Sequence, residues 1–203
     1  FAATHLKLSK RVALKVLRTD LLVDAERRAR FLREARSAAA VRHPNIATVF
    51  EAGESGGVVF IAMELIEGQS LRELLDEGAL SVPRAVDIAA AVASGLARAH
   101  EAGIIHRDLK PDNVMVNDDG VKLLDFGIAK QFAPSGEHVG EPGLEPTVAA
   151  LTREGWVLGT PGYMSPEHAQ GEPVDPRTDI FALGVLLYEM LAGRPPFARA
   201  STA

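Results

Sequence analysis

The sequence predicts an α+β protein in two parts: a small, mainly antiparallel β part with one helix over residues 1–65, and a larger helical part over 70–203, joined by a connector at 66–69. Three observations predict it. Short strand-like runs at 11–17, 46–51 and 58–65 crowd the first part, the last two separated by the glycine-bearing turn 53–57. One helical pattern, 24–40, interrupts them. Beyond the connector, long apolar helical patterns at 83–102 and 178–191 take over.

The bulk composition narrows the choices. A chain of 203 residues with 47% hydrophobic content has the length for a real core. A net charge of −5 favours neither nucleic acid nor an anionic membrane surface. The absence of cysteine removes disulfides and thiolate metal sites, and fits a reducing, cytoplasmic setting. The longest apolar run, Ile180 to Leu187, is far shorter than the ~20 residues that span a bilayer, so no membrane segment is expected in this chain.

Taken in order, RVALKVL at 11–17 alternates as a strand and puts Lys15 on the same face as Ala13. By itself such a lysine reads as an edge-strand charge. The helix at 24–40 is rich in arginine and presents Phe31, Leu32, Ala35, Ala38 and Ala39 as its apolar face. Glu34 within it reads as a local partner of Arg30. The helix should end near His43-Pro44. A short helix is expected at 70–77. The helix at 83–102 starts with Pro83 and stops at Gly103, and its His100 reads as a packed structural histidine. Strand, turn and strand follow at 114–116, 117–120 and 121–124. Residues 128–164, rich in proline and glycine, read as the least ordered stretch. The helix at 178–191 is apolar nearly all round and belongs in the middle of a domain, yet few residues follow it.

The chemistry concentrates at HRDLKPDN, residues 106–113. It places the carboxylate of Asp108, the ammonium of Lys110 and the amide oxygen of Asn113 on a segment that Pro111 keeps from being helical. Asp125 follows in DFG. An acid that takes a proton, a nearby lysine and two oxygen ligands suited to Mg²⁺ form a set for moving a phosphoryl group onto a hydroxyl.

VALK, HRDLKPDN, DFG, GTPGYMSPE and DIFALG occur in this order across residues 12–184. Together they resemble a eukaryotic-type protein kinase catalytic domain, most closely its bacterial serine/threonine receptor-like branch. The resemblance implies a two-lobe fold and ATP-dependent phosphorylation of protein serine and threonine hydroxyls, with ATP and Mg²⁺, or Mn²⁺ in its place. It implies that Lys15 holds the α and β phosphates and pairs with Glu34, that Asp108 accepts the hydroxyl proton, that Lys110 neutralises the transferring group, and that Asn113 and Asp125 hold the metal. In the connector, Met63 would be the gatekeeper, the Glu64 carbonyl and Ile66 amide would meet the adenine edge, and Ala13 and Met115 would cover its faces. Ala38, Val49, His106 and Phe126 would form a spine, with Asp179 anchoring the His106 backbone.

Lys110 and Thr160 are what the serine/threonine branch carries. Arg107 would pair with a phosphate on the activation loop, at Thr152 first and Thr147 second. The same resemblance implies autophosphorylation in trans between two kinase domains, a homodimer, and in bacterial relatives a tether to the membrane outside the catalytic domain. The competing readings are a pseudokinase that signals by shape and a small-molecule phosphotransferase of kinase-like fold.

The sequence departs from the family in two places. The glycine-rich loop is missing from 1–65, so this reads as a partial N-lobe, with 66–69 as hinge. Residues 70–203 read as a partial C-lobe without the last helices, in which Glu167 of SPE would lack its usual arginine partner. The expectation is therefore a fragment of a kinase domain that is weak when made alone.

Overall fold

A computed structural model describes residues 1–6, 9–17, 25–125, 151–152, 155–156 and 161–197. Strands β1 (Ala2–His5), β2 (Lys10–Leu17), β3 (Val49–Ser55) and β4 (Val58–Glu64) form one antiparallel sheet in the order β1-β2-β4-β3. Helix α1 (Ala25–Ala39) lies against it. Phe31, Ala35 and Ala38 of α1 are buried with Val59, Ile61 and Met63 of β4, which is the apolar face the helical spacing demanded. In the β2–β4 register Ala13 stands opposite Met63 and Lys15 opposite Ile61.

The second part is helical. Helix α2 (Leu71–Asp76) begins with a capping box: Ser70 Oγ accepts from the Glu73 N–H, and Glu73 Oε2 accepts from the Ser70 N–H at 2.6 Å. Helix α3 (Val82–Glu101) packs on the long helix α5 (Pro176–Ala192), and together they bury Ile88, Val92, Leu96, Val185, Leu186 and Met190. Asp175 caps α5 through the Arg177 N–H, and Gly193 ends it at φ +67, a conformation that favours glycine. Strands β5 (Gln69–Ser70), β6 (Val114–Asn117) and β7 (Gly120–Leu123) form a second small sheet. Strands β8 (Leu151–Thr152) and β9 (Gly155–Trp156) pair with each other, and a short helix α4 (Pro166–Ala169) precedes α5.

Some boundaries differ from expectation, each for a visible reason. Helix α1, by contrast, spans Ala25–Ala39, within one residue of the expected 24–40 at each end. The third strand starts at Val49, not Ile46. Ile46 instead forms a parallel bridge with Leu123, while Asn45 Nδ2 donates to the Val121 carbonyl at 2.8 Å. Residues 45–47 therefore tie the sheet of the first part to β7 of the second. Helix α5 buries one side, but Ile180, Tyr188 and Leu191 on it remain exposed. Most of 128–164 lies outside the described residues, as do Phe126, Thr147 and Thr160.

The connector is drawn tightly onto β6. Asn117 Nδ2 donates to the Glu67 carbonyl at 3.0 Å. Gly68 sits at φ +147, and a Cβ there would meet the Val116 carbonyl oxygen at 2.6 Å. Only a glycine fits both constraints.

Candidate active site

HRDLKPDN runs from α3 to β6 and is held from below by α5. Asp179 is fully buried, and its carboxylate accepts the backbone N–H groups of His106 at 2.8 Å and Arg107 at 2.9 Å. His100, read from sequence as a packed residue, meets the same carboxylate at 2.7 Å. These bonds fix Arg107 at φ +63, a left-handed conformation that costs a non-glycine residue of order 1–3 kcal/mol. Asp125 is held at φ +43 in the same region. Strained backbone at two chemically loaded positions is what an over-determined site looks like.

The two segments are stitched together. His106 is buried, and its Nδ1 accepts from the Asp108 N–H at 3.3 Å, which leaves Nε2 to donate to the Leu124 carbonyl at 2.9 Å. The Leu124 N–H donates to the Asn113 carbonyl at 2.8 Å. Pro111–Asn113 form a single 3₁₀ turn, so the chain leaves Asp108 and turns at once into β6. Asn113 Nδ2 donates to both the Asp108 carbonyl, at 2.7 Å, and Asp108 Oδ2, at 3.0 Å. That fixes the amide orientation and leaves Asn113 Oδ1 as the acceptor atom of the side chain, of the type a hard cation takes.

Lys15 reaches across from β2. Its Nζ donates to Asp125 Oδ2 at 3.0 Å, with both side chains about one-third exposed. The strand lysine is thus no edge charge: it joins the first part of the chain to the second. Glu34 is half-buried on α1. Lys110 Nζ lies 4.0 Å from Asp112 Oδ2. Ala13 and Met115 are half-buried, and Met63 is buried.

Glu64 carries a role that sequence did not show. Its carboxylate accepts the Thr48 N–H at 3.0 Å and Lys122 Nζ at 2.9 Å. Burial pushes its pKa up, but the bonds from Lys122 and Thr48 outweigh this and hold it below the ordinary 4.5. The end of β4 is thereby pinned just ahead of the connector. Thr152 lies in β8, paired with Gly155.

Two further differences concern the flank. Glu167, expected to lack its usual arginine partner, is half-buried and accepts instead from Thr178 Oγ1 at 2.8 Å. Hydrogen bonding from Ser165, from its own backbone and from Thr178 keeps its carboxyl below the ordinary range. The second is a cluster that sequence reasoning missed, formed by Arg72, Tyr163 and Glu189. The signal available was Glu189 itself, an acid inside an otherwise apolar helix.

Comparison with known proteins agrees with this architecture. The protein kinase domain family model matches residues 1–203. The chain is 47% identical over 204 residues to the serine/threonine-protein kinase pkn3 of Myxococcus xanthus, covering 97% of this chain and 36% of that protein. It is 42% identical over 201 residues to the serine/threonine-protein kinase PknB of Mycobacterium tuberculosis, covering 96% of this chain and 30% of that protein. The chain therefore spans about a third of the length of the curated relatives it matches. Among solved structures, the kinase domain of PknI from Mycobacterium tuberculosis superposes with a TM-score of 0.74 at 33% identity, covering 100% of this chain and 70% of that one. The chain belongs to the protein kinase domain family, in its bacterial serine/threonine branch.

Proposed function

We propose that this chain, as part of its full-length protein, transfers the γ-phosphoryl group of ATP to serine or threonine hydroxyls of a protein. The observation that carries the reading is the junction of Asp108, Asn113 and Asp125. Asn113 bonds Asp108 through its side chain and the neighbour of Asp125 through its backbone, so acid, amide and second acid share one rigid frame. The acceptor hydroxyl oxygen attacks the γ-phosphorus, the bond from that phosphorus to the β-bridging oxygen breaks, and ADP leaves. The hydroxyl proton passes to Asp108.

The donors present fit Mg²⁺. Asn113 and Asp125 would hold the ion through an amide and a carboxylate oxygen, the hard ligands it prefers. When bound, the ion neutralises charge on the phosphates. Lys15, whose Nζ donates to Asp125 at 3.0 Å, would meet the α and β phosphates, and Glu34 would be its second counter-charge. Lys110 offsets charge on the transferring group. The adenine ring would lie between Ala13 and Met115, with its edge on the Glu64 carbonyl and Ile66 amide beside Met63. Arg107, in its strained conformation, would meet a phosphate on the activation loop at Thr152 or Thr147, added by a second kinase domain.

The test is phosphate transfer by the full-length protein with Mg-ATP to a serine/threonine peptide mixture, alongside a panel of small-molecule alcohols. Labelled phosphoserine or phosphothreonine supports the reading. Binding of Mg-ATP with no transfer would make it a pseudokinase. Transfer confined to the small molecules would make it a different phosphotransferase.

A further inference from the structure

We infer that Arg72 is a positioning residue for the protein substrate, acting through Tyr163; this rests on the kinase reading above. Arg72 Nη1 donates to Glu189 Oε1 at 3.0 Å, and Arg72 Nη2 donates to the Tyr163 hydroxyl at 2.7 Å. The Tyr163 hydroxyl in turn donates to Glu189 Oε2 at 2.5 Å. The three groups close a ring across three elements: α2, the 3₁₀ turn Pro161–Tyr163, and α5.

Burial makes the ring matter. Glu189 is 2% exposed in an apolar helix, and a carboxylate there needs its counter-charge. Burial works against the Arg72 charge, but Tyr163 and Glu189 outweigh it, and its pKa is held above the ordinary arginine value. Burial, then the bond to Glu189, pushes the Tyr163 hydroxyl well above its ordinary range, so it stays a donor. Lysine would serve both partners less well, since its three donors sit on one compact ammonium, whereas the planar fork of a guanidinium holds two donors apart in a fixed geometry.

The direction of the effect follows from what Tyr163 borders. Tyr163 and Met164 line one small cavity together with Arg107, Asp108 and Leu109. The turn that Arg72 holds therefore packs between α5 and the segment that carries Asp108, the residue read above as meeting the acceptor hydroxyl. Lys15, Met63 and the rest of the nucleotide contacts lie on other elements. Arg72 also feels the charge of Asp112, in the turn that follows Asp108. Its influence should fall on peptide binding and leave nucleotide binding alone.

The experiment is steady-state kinetics on the full-length protein, with peptide and ATP varied separately. Arg72→Met should raise the peptide KM by about tenfold or more, with the ATP KM moved less than about twofold. Tyr163→Phe should do the same to a lesser degree, and the double variant should be no worse than Arg72→Met alone, because both substitutions open one ring. Arg72→Lys should recover only part of the loss. Where Arg72→Met does not fold, Arg72→Lys and Tyr163→Phe carry the same comparison. An unchanged peptide KM, an equal rise in both KM values, or additive effects in the double variant would overturn the inference. A wild-type protein that phosphorylates no peptide would instead overturn the kinase reading on which it stands.

Discussion

Asp179, seventy-odd residues downstream of the HRDLKPDN segment and fully buried in α5, accepts the backbone N–H groups of both His106 and Arg107. One carboxylate thus sets the path of the chain into Asp108 and holds Arg107 in a left-handed conformation that it would not otherwise adopt. His100 closes the cluster from α3.

Replacing Asp179 tests that dependence. Asp179→Ala orphans the buried His106 N–H, the part-buried Arg107 N–H and the His100 ring together, a loss of about 3–5 kcal/mol. Urea unfolding of the full-length protein should show it as a lower midpoint. Transfer activity should fall further than the unfolded fraction explains, because Asp108 loses its placement. Unfolding and activity unchanged from wild type would contradict this role.

The connector makes a second case. In Gly68→Ala the new methyl group would collide with the Val116 carbonyl at a backbone angle alanine avoids, at a cost of about 1–3 kcal/mol. Relief requires the connector to lift from β6. Calorimetric titration with Mg-ATP should therefore give weaker nucleotide binding as well as a lower Tm. A drop in Tm with wild-type affinity would place Gly68 outside the nucleotide site.

Glu64 gives a pH prediction. Its folded pKa lies below the ordinary 4.5, so the folded state releases its proton more readily than the unfolded chain does. The stabilisation is complete above 4.5 and is lost as pH falls through the depressed folded value. Lys122→Met removes the main bond that lowers the pKa and should flatten this part of the acid limb, with an effect of ~1 kcal/mol or less near neutrality. Urea midpoints for both proteins between about pH 3 and 6 measure it. Parallel curves would show that Lys122 does not set the Glu64 pKa.

Loop phosphorylation is tested at Thr152. Thr152→Ala should lower transfer by the full-length protein about tenfold, since Arg107 then lacks the phosphate that would form charge-assisted bonds with it. Full activity in this variant, with phosphate mapped to Thr147 or Thr160, would move the control site.

Much of the architecture was legible because local rules decide it. The capping serine of α2, the proline start of α3 and the Asp175 cap of α5 lie within a few residues of what they control. The strand expected at 46–51 was misplaced because Ile46 is claimed by Leu123, far away in the chain. The Arg72–Tyr163–Glu189 ring escaped for the same reason: its partners lie 91 and 117 residues from Arg72. The motif residues announced the chemistry, but not that Lys15 would reach Asp125 or that Glu64 would be pinned by Lys122. Periodicity and motif spacing report which residues share a face or a function. They do not report which side chains meet across lobes.

The central claim is that Asp108 moves the proton in a transfer that Lys15, Asn113 and Asp125 set up. The most direct measurement is single-turnover phosphate transfer from Mg-ATP by full-length wild type and Asp108→Asn, with nucleotide affinity measured on the same samples. The account predicts ATP affinity within about twofold of wild type and transfer slower by at least about 100-fold. Transfer by Asp108→Asn at the wild-type rate would contradict it.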